Sequence, residues 1–304
     1  MAISRAQLVK ELEPGLNALF GLEYKRYDNQ HAEIYTNESS DRAFEEEVML
    51  SGFGNASVKS EGSGVAFDNA QESFSARYTH ETVALAFAIT EEAIEDNLYD
   101  RISSRYTKAL ARSMSNAKQV KAAAPLNNGL PAVDGFDSGD GVSLFNTAHT
   151  TVSGTNVSNT LTTQADLNET SLEQAMIDIS AMTDERGLRI AARALKMIVP
   201  PANQFNAERL MKSQGRTATA DNDLNAIASM GMLPQGYRIN NFLTDTDSFY
   251  IITDVPNGMK MFTRTPLTTA MEGDFDTGNV RYKARERYSF GVSDYRGIYG
   301  VEGA

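Results

Sequence analysis

The chain contains no cysteine and no tryptophan, and it has only three histidines among 304 residues. The lack of cysteine excludes disulfide bonds, thiolate catalysis and cysteine-bound metal centres together. No run of about 18 apolar residues is present, so we expect no membrane-spanning helix. The first residues lack the apolar core of a secretory signal, and we expect no such signal at this end.

Positive charge is also scarce, because 28 lysines and arginines face 40 aspartates and glutamates, which gives a formal net charge of −12. Nucleic-acid-binding proteins normally present a dense basic face to the phosphates. Here the nearest approaches to one are Lys25 with Arg26 and the segment 281–287. The composition therefore argues against tight DNA binding, and an acidic surface near DNA would repel it.

Catalytic motifs are missing as well. The sequence has no Gly-x-Ser-x-Gly elbow, no P-loop, no dinucleotide fingerprint and no His-Glu-x-x-His zinc motif. The three histidines, His31, His80 and His149, have no ligand-spaced partner, so we expect them to be hydrogen-bonded or at the surface. The aspartates of segment 134–140 lack the glycine and glutamate of a calcium loop and favour an ordinary turn. We expect no enzyme activity, no metal and no cofactor.

The most informative stretch of the sequence is 72–121, which follows a glycine-rich tip; its first part completes a hairpin over 51–89. Glycines at 52, 54, 62 and 64 predict a mobile tip. The return strand alternates apolar and polar residues, but the phase of the alternation changes between His80 and Val83. Because a one-residue slip turns every later side chain to the other face, the sequence predicts a long β-hairpin with a bend near 80–82.

A long helix is predicted directly after the hairpin, from 90 to about 121. Thr90 is a suitable N-cap, acidic residues fill the first turn, and apolar residues recur every four positions up to Met114. Pro125 and Gly129 are expected to stop it. A helix of this size spans about 45 Å.

The flanking segments predict a mixed α and β structure. Residues 1–50 resemble an arm of short helical pieces interrupted at Pro14, and the acidic run 45–47 is typical of a solvated face. A capping box at 170–173 predicts a helix that ends near Gly187, and Asn203 can cap a second helix. Apolar runs at 195–199 and 249–252 predict buried strands. Near the end, 280–292 alternates as an amphipathic strand with a basic face.

In this order of elements, and in the closing segment 284–297, the chain resembles the major capsid proteins of tailed phages, in particular the Mu-like major head subunit group. The resemblance implies the Hong-Kong-97-type capsid fold, an α+β fold. It also implies a structural virion protein that self-assembles, after synthesis in the host cytoplasm, into the icosahedral head shell around phage DNA. Its implied parts are an N-terminal arm (1–50), an extended loop (51–89), a spine helix (90–129), an axial α/β domain (130–255) and a peripheral β segment (256–304).

The resemblance also implies partners. Copies of the chain would form hexamers and pentamers, with the arm lying along a neighbouring subunit and the axial domains meeting around the local axis. Scaffold, portal and decoration proteins are further expected partners, with DNA nearby but not specifically bound. Because the sequence starts close to the arm, we expect a separate scaffold protein.

Contacts between subunits are expected from residues of the loop, the acidic run and the basic strand. Lys59 is the lysine nearest the loop tip, but no partner asparagine or activating acid for a covalent cross-link can be identified. The basic strand could pair with the acidic run or with the acids of 91–95 of another subunit. The expected contact residues are Phe53, Lys59, Phe67, Glu45, Glu46, Arg281, Arg285 and Arg287.

Three other functions are alternatives to a capsid shell. An encapsulin-like compartment would share the fold but enclose a cargo enzyme. A flagellin-like filament protein would need long helices at both ends, whereas this chain ends in strand-like sequence. An enzyme would need a convergent acid and base cluster, which the sequence does not supply.

Overall fold

The computed structural model describes residues 5–90, 92, 99–130, 133, 135–215, 223–274 and 278–304. Five helices and twelve strands are described. The helices are α1 (Arg5–Arg26), α2 (Tyr99–Asn128), α3 (Glu169–Ala181), α4 (Gln204–Lys212) and α5 (Ala226–Met230). The strands are β1 (Thr36–Ser39), β2 (Phe44–Leu50), β3 (Glu72–Thr79), β4 (Glu81–Ile89), β5 (His149–Thr150), β6 (Asn156–Val157), β7 (Ala194–Val199), β8 (Tyr237–Ile239), β9 (Phe249–Thr253), β10 (Met259–Gly273), β11 (Val280–Val292) and β12 (Ile298–Val301).

Two four-stranded sheets organise these elements, and they confirm the α+β class. The first sheet has the order β1-β10-β11-β4, with β1 parallel to β10 and the other pairs antiparallel. We call it the long sheet, because β10 and β11 have 15 and 13 residues. The second sheet, which we call the short sheet, has the order β12-β9-β7-β8, and in it only β7 and β8 run parallel.

The extended hairpin is present, but its outgoing strand lies earlier than predicted. β2 pairs antiparallel with β3, from Phe44 opposite Thr79 to Leu50 opposite Glu72. The acidic run 45–47, which was assigned to the arm, is therefore part of the outgoing strand, in which exposed and half-buried residues alternate. The chain between β2 and β3, residues 51–71, contains no strand.

The strand breaks at the place that the phase change predicted. β3 ends at Thr79 and β4 begins at Glu81, with His80 between them. β3 pairs with β2, whereas β4 pairs with β11 of the long sheet. The change in the phase of apolar and polar residues near His80 thus marks the point where the chain leaves the hairpin and enters the long sheet.

Helix α2 extends over 30 residues and continues past Pro125, which was wrongly expected to stop it. The helix ends before Gly129, where an added Cβ would lie 2.6 Å from the Pro125 carbonyl oxygen and 2.7 Å from the Leu144 Cβ. Leu110 and Met114 are buried as predicted. The predicted first turn at 91 and 93–98 lies outside the described residues.

The arm also differs from the prediction. α1 is one helix with Pro14 inside it, not a series of short pieces. It packs against its own chain, because Leu16 and Phe20 form a core with Leu110 and Met114 of α2 and with Tyr282 of β11. This part of the arm therefore covers one face of the long sheet in the same subunit.

The main hydrophobic core lies around the short sheet. α3 contributes Leu172, Ala175, Met176 and Ile179, as predicted, although its N-cap is Asn168 and it ends at Ala181, before Gly187. Asn203 makes no side-chain cap on α4. β12 pairs with β9, so the last strand of the predicted peripheral segment 256–304 lies in the short sheet.

Candidate assembly surfaces

The tip of the hairpin exposes a few large apolar side chains among polar residues and glycines. Residues 55–67 are all exposed, and Val58 and Phe67 are 98% and 97% exposed. Phe53 and Lys59, two of the predicted contact residues, are also exposed. An exposed aromatic and aliphatic segment of this kind is typical of a surface that binds a protein partner.

The long sheet has one covered and one open face. Tyr282, Ala284, Glu286 and Tyr288 of β11 are buried on the side of α1 and α2. Because successive side chains of a strand point to opposite faces, the residues between them form a row on the other face. That row is Arg281, Lys283, Arg285 and Arg287, opposite Ala88, Ala86, Ala84 and Thr82 of β4.

We call this row with its β4 neighbours the basic face. Arg281, Lys283 and Arg285 are exposed and Arg287 is half-buried. Arg281 pairs with Asp274 at 2.5 Å, while Lys283 and Arg285 form no ion pair with any described residue. A depression of about 600 Å³ beside Arg281 and Lys283 is lined by Ala86, Ala270 and Glu272. The predicted amphipathic strand is therefore confirmed, and its basic face carries two cations, Lys283 and Arg285, without an ion-pair partner among the described residues.

The predicted acidic contacts have partners within the chain. Ser40 donates a hydrogen bond to Glu45 over 2.7 Å, and Arg77 lies 3.6 Å from Glu46. The neighbouring Glu47 binds the Lys260 ammonium at 2.6 Å. These intrachain contacts occupy the acids, and their pairing with the basic face of another subunit stays a prediction.

A buried ionic cluster joins the C-terminal segment to the turn after α3. The Arg296 guanidinium donates to Glu185 over 2.6 Å and to Asp294 over 3.2 Å, and its Nε donates to the Thr183 carbonyl. Burial raises the pKa of the Asp294 carboxyl, and the charge of Arg296 opposes that shift. Sequence reasoning missed this cluster, because its members lie about 110 residues apart and no local pattern marks them.

A second buried carboxylate joins α1, α2 and β11. Glu286 accepts a hydrogen bond from Lys118 at 3.2 Å and from the Tyr24 hydroxyl at 3.5 Å. Burial raises the pKa of the Glu286 carboxyl, and Lys118 partly offsets this effect. Burial and the nearby Glu286 also raise the pKa of Tyr24. These contacts hold the helices on the covered face of the long sheet.

The histidines have structural environments. His80 lies between the hydroxyls of Ser289 and Ser40, each at 2.9 Å, and burial lowers its pKa. His149 lies 2.6 Å from Asp140 and stacks on Tyr295. Asp140, an aspartate of the segment 134–140 that was compared with a calcium loop, therefore binds a histidine.

The described part of the chain holds neither a metal-binding cluster nor a membrane-spanning helix. Within that part, no group of three or more acidic or histidine side chains could hold a metal ion. Among its helices, none combines the length and hydropathy of a membrane span.

Comparison with known proteins places the chain in a family. A family model described as phage capsid protein matches residues 73–301, about three quarters of the chain. None of the curated proteins matches the sequence. The solved structures described next are 10–14% identical to this chain, so the likeness concerns the fold.

Three such structures illustrate the match. The virus-like particle from Pyrococcus furiosus has a TM-score of 0.54 at 10% identity, covering 95% of this chain and 98% of that one. The capsid of Myoviridae phage XM1 gives 0.54 at 12%, with 89% of both chains covered. The capsid of an empty GTA particle gives 0.53 at 14%, with 91% of both covered. The chain belongs to the phage capsid protein family and has the Hong-Kong-97-type capsid fold.

Proposed function

We propose that this chain is the major subunit of the icosahedral head shell of a tailed phage, and that its hairpin tip and basic face make contacts between subunits. The observation that carries the proposal is the uncovered tip, residues 55–67, on the end of a two-stranded ribbon. An isolated two-stranded ribbon is marginally stable in water. Burial of Val58 and Phe67 against another subunit would supply the missing apolar contact.

The charges of the chain support the same function. A net charge of −12 makes copies of the subunit repel one another. The basic face offers two cations that form no ion pair with a described residue, Lys283 and Arg285, to acidic groups of a neighbour. Within an acidic protein, such a face favours one orientation of approach over the others.

The finer assignments are part of the proposal. We expect hexamers and pentamers as the assembly units, with the α3 and short-sheet region around their axes. Scaffold, portal and decoration proteins would be the partners, packaged DNA would lie nearby, and synthesis would occur in the host cytoplasm. The Mu-like subgroup is likewise proposed on the order of elements.

A protein compartment is the second candidate, because the virus-like particle matches this chain over 95% of its length with the same TM-score as the phage XM1 capsid. The genomic neighbours separate the two functions. Terminase and portal genes beside this gene would support the phage head, and a ferritin-like or peroxidase gene would support the compartment.

The test of the proposal is assembly by variants of the tip. Phe67→Ser removes an exposed aromatic ring that touches nothing in its own chain, so the free energy of unfolding should change by less than about 0.5 kcal/mol. Shell formation, measured by sedimentation, should be lost or strongly reduced. Phe67→Leu keeps an apolar side chain and should assemble. Native-like assembly of Phe67→Ser, and of a chain with 55–67 replaced by a short glycine-serine link, would contradict the proposal.

A further inference from the structure

The base of the loop between β2 and β3 is attached to its own subunit at a short turn after α3. Two consecutive residues of this turn make the attachment. Glu185 accepts a hydrogen bond from the Ser73 hydroxyl over 3.0 Å. The Arg186 guanidinium donates to Asp68 over 2.9 Å and to the Asn69 carbonyl oxygen over 2.7 Å.

Asp68 also joins the two limbs of the loop to each other. Its second carboxylate oxygen accepts the Gly54 backbone N–H at 2.7 Å. Further down, the Ser51 N–H donates to the Gln71 carbonyl and the Gln71 N–H donates to the Ser51 hydroxyl. Backbone donors from Gly54 and Asn69, and then Arg186, lower the pKa of the Asp68 carboxyl, so it stays charged near neutral pH. One carboxylate therefore fastens both limbs to the turn.

The turn itself is firmly held. Glu185 is bound by Arg296 at 2.6 Å and accepts the Val152 N–H at 3.2 Å, and both Glu185 and Arg296 are buried. Beyond Gly54 and Asp68, towards the tip, the loop is not held in this way. Residues 55–67 are exposed, and in the described part of the chain their hydrogen bonds stay within the tip.

We propose that Arg186 is a positioning residue that, through Asp68, fixes the direction in which the loop projects from the subunit. In its absence the loop would pivot near Ser73, because Phe74 still packs on Tyr295 and Tyr78 on Phe262. With it, the loop follows the turn after α3, and only 55–67 moves freely. The link to assembly rests on the proposed function, whereas the attachment is a property of the single chain.

The alternative is that the ion pair of Arg186 with Asp68 has no effect on the direction of the loop. The two possibilities predict different results when the pair is removed. Partly exposed ion pairs contribute little to the free energy of unfolding. Removal of Arg186 should therefore leave overall stability close to native under either view. The direction of the loop should change only if Arg186 holds it.

The test uses spin labels on the unassembled full-length chain. Because the chain has no cysteine, labels can be placed cleanly at Ala70→Cys in the loop and Ile177→Cys on α3, both exposed positions. The native pair should give one narrow distance distribution by pulsed electron resonance. Arg186→Ala and Asp68→Asn should broaden and shift it, and Arg186→Lys should restore part of the narrow component.

Arg189→Ala is the matched control, since it removes an exposed arginine three positions along the same turn and should leave the distribution unchanged. Distributions of Arg186→Ala and Asp68→Asn that superimpose on the native one would overturn the proposal, as would a native distribution that is already broad. In assembly, Arg186→Ala should slow shell formation, and a native rate with a released loop would overturn the positioning role. If the native chain forms no shell, the proposed function fails while the spin-label result still decides the attachment.

Discussion

At the scale of single residues, buried charges connect distant parts of this chain. Arg296 binds Glu185 and Asp294, and Glu286 binds Lys118 and Tyr24. Sequence reasoning missed the pairs of Arg296 with Glu185 and of Glu286 with Lys118 and Tyr24, because these partners lie more than 100 residues apart and leave no local pattern. The histidines were easier to interpret, since the absence of ligand spacing around them correctly pointed to hydrogen-bonded roles for His80 and His149.

Arg296→Ala should destabilise the subunit strongly. It would leave Glu185 and Asp294 buried without their cation, and breaking a buried pair from one side costs about 3–5 kcal/mol. The measurement is the free energy of unfolding in urea. Arg77→Ala is the control, because its pair with Glu46 is exposed and should contribute less than about 1 kcal/mol. Equal losses for the two variants would contradict the account.

Glu286→Gln should change how stability depends on pH. Burial raises the folded pKa of this carboxyl above its ordinary value of 4.5. As pH rises, the unfolded chain therefore releases this proton first, and Glu286 lowers stability above about pH 4.5. The free energy of unfolding of Glu286→Gln, minus that of the native chain, should increase from pH 4 to pH 7. A difference that is constant or falls over that range would show that the carboxyl is not raised.

At the scale of elements, local sequence patterns predicted the position of several strands and helices. Contacts between elements determined the others. The alternation of 280–292 and the slip at His80 correctly gave β11 and the break between β3 and β4. The acidic run 45–47 was misassigned, because only its pairing with β3 shows that it is a strand. The prediction that Pro125 ends the long helix was wrong for a related reason, since tertiary packing of α2 overrides a local stop signal.

The two sheets meet where two glycines touch. An added Cβ on Gly297, just before β12, would lie 2.3 Å from the Gly258 Cα, just before β10. Gly297→Ala should therefore destabilise the subunit by at least about 2 kcal/mol, as overpacking does. Gly21→Ala in α1 is the matched control, because its Cβ would meet no atom within 4 Å. It should stabilise the helix by about 0.5–1 kcal/mol. Thermal unfolding of both variants checks the contrast, and a neutral Gly297→Ala would contradict it.

Arg285→Glu should separate assembly from folding. The residue is exposed on the basic face and has no ion pair with a described residue, so its reversal should change the free energy of unfolding by less than about 0.5 kcal/mol. Shell formation should be impaired, and Arg285→Lys should assemble. Normal shells from Arg285→Glu would remove the basic face from the set of contacts.

At the scale of the whole molecule, the sequence predicted the order of the structural elements better than it predicted which elements pack together. Hairpin, long helix, α/β region and closing strands all occur in the predicted order. Which elements share a sheet could not be predicted, because β12 returns to β9 and α1 packs on its own α2 through long-range contacts. Contacts between subunits belong to a still larger scale, and we propose that the exposed tip and the basic face make them.

The central claim is that this chain closes into an icosahedral shell. Electron micrographs of the purified, assembled protein test it most directly. The account predicts closed icosahedral shells built of hexamers and pentamers, with the hairpin tip buried between subunits. Filaments, or a protein that stays monomeric under every assembly condition, would contradict it.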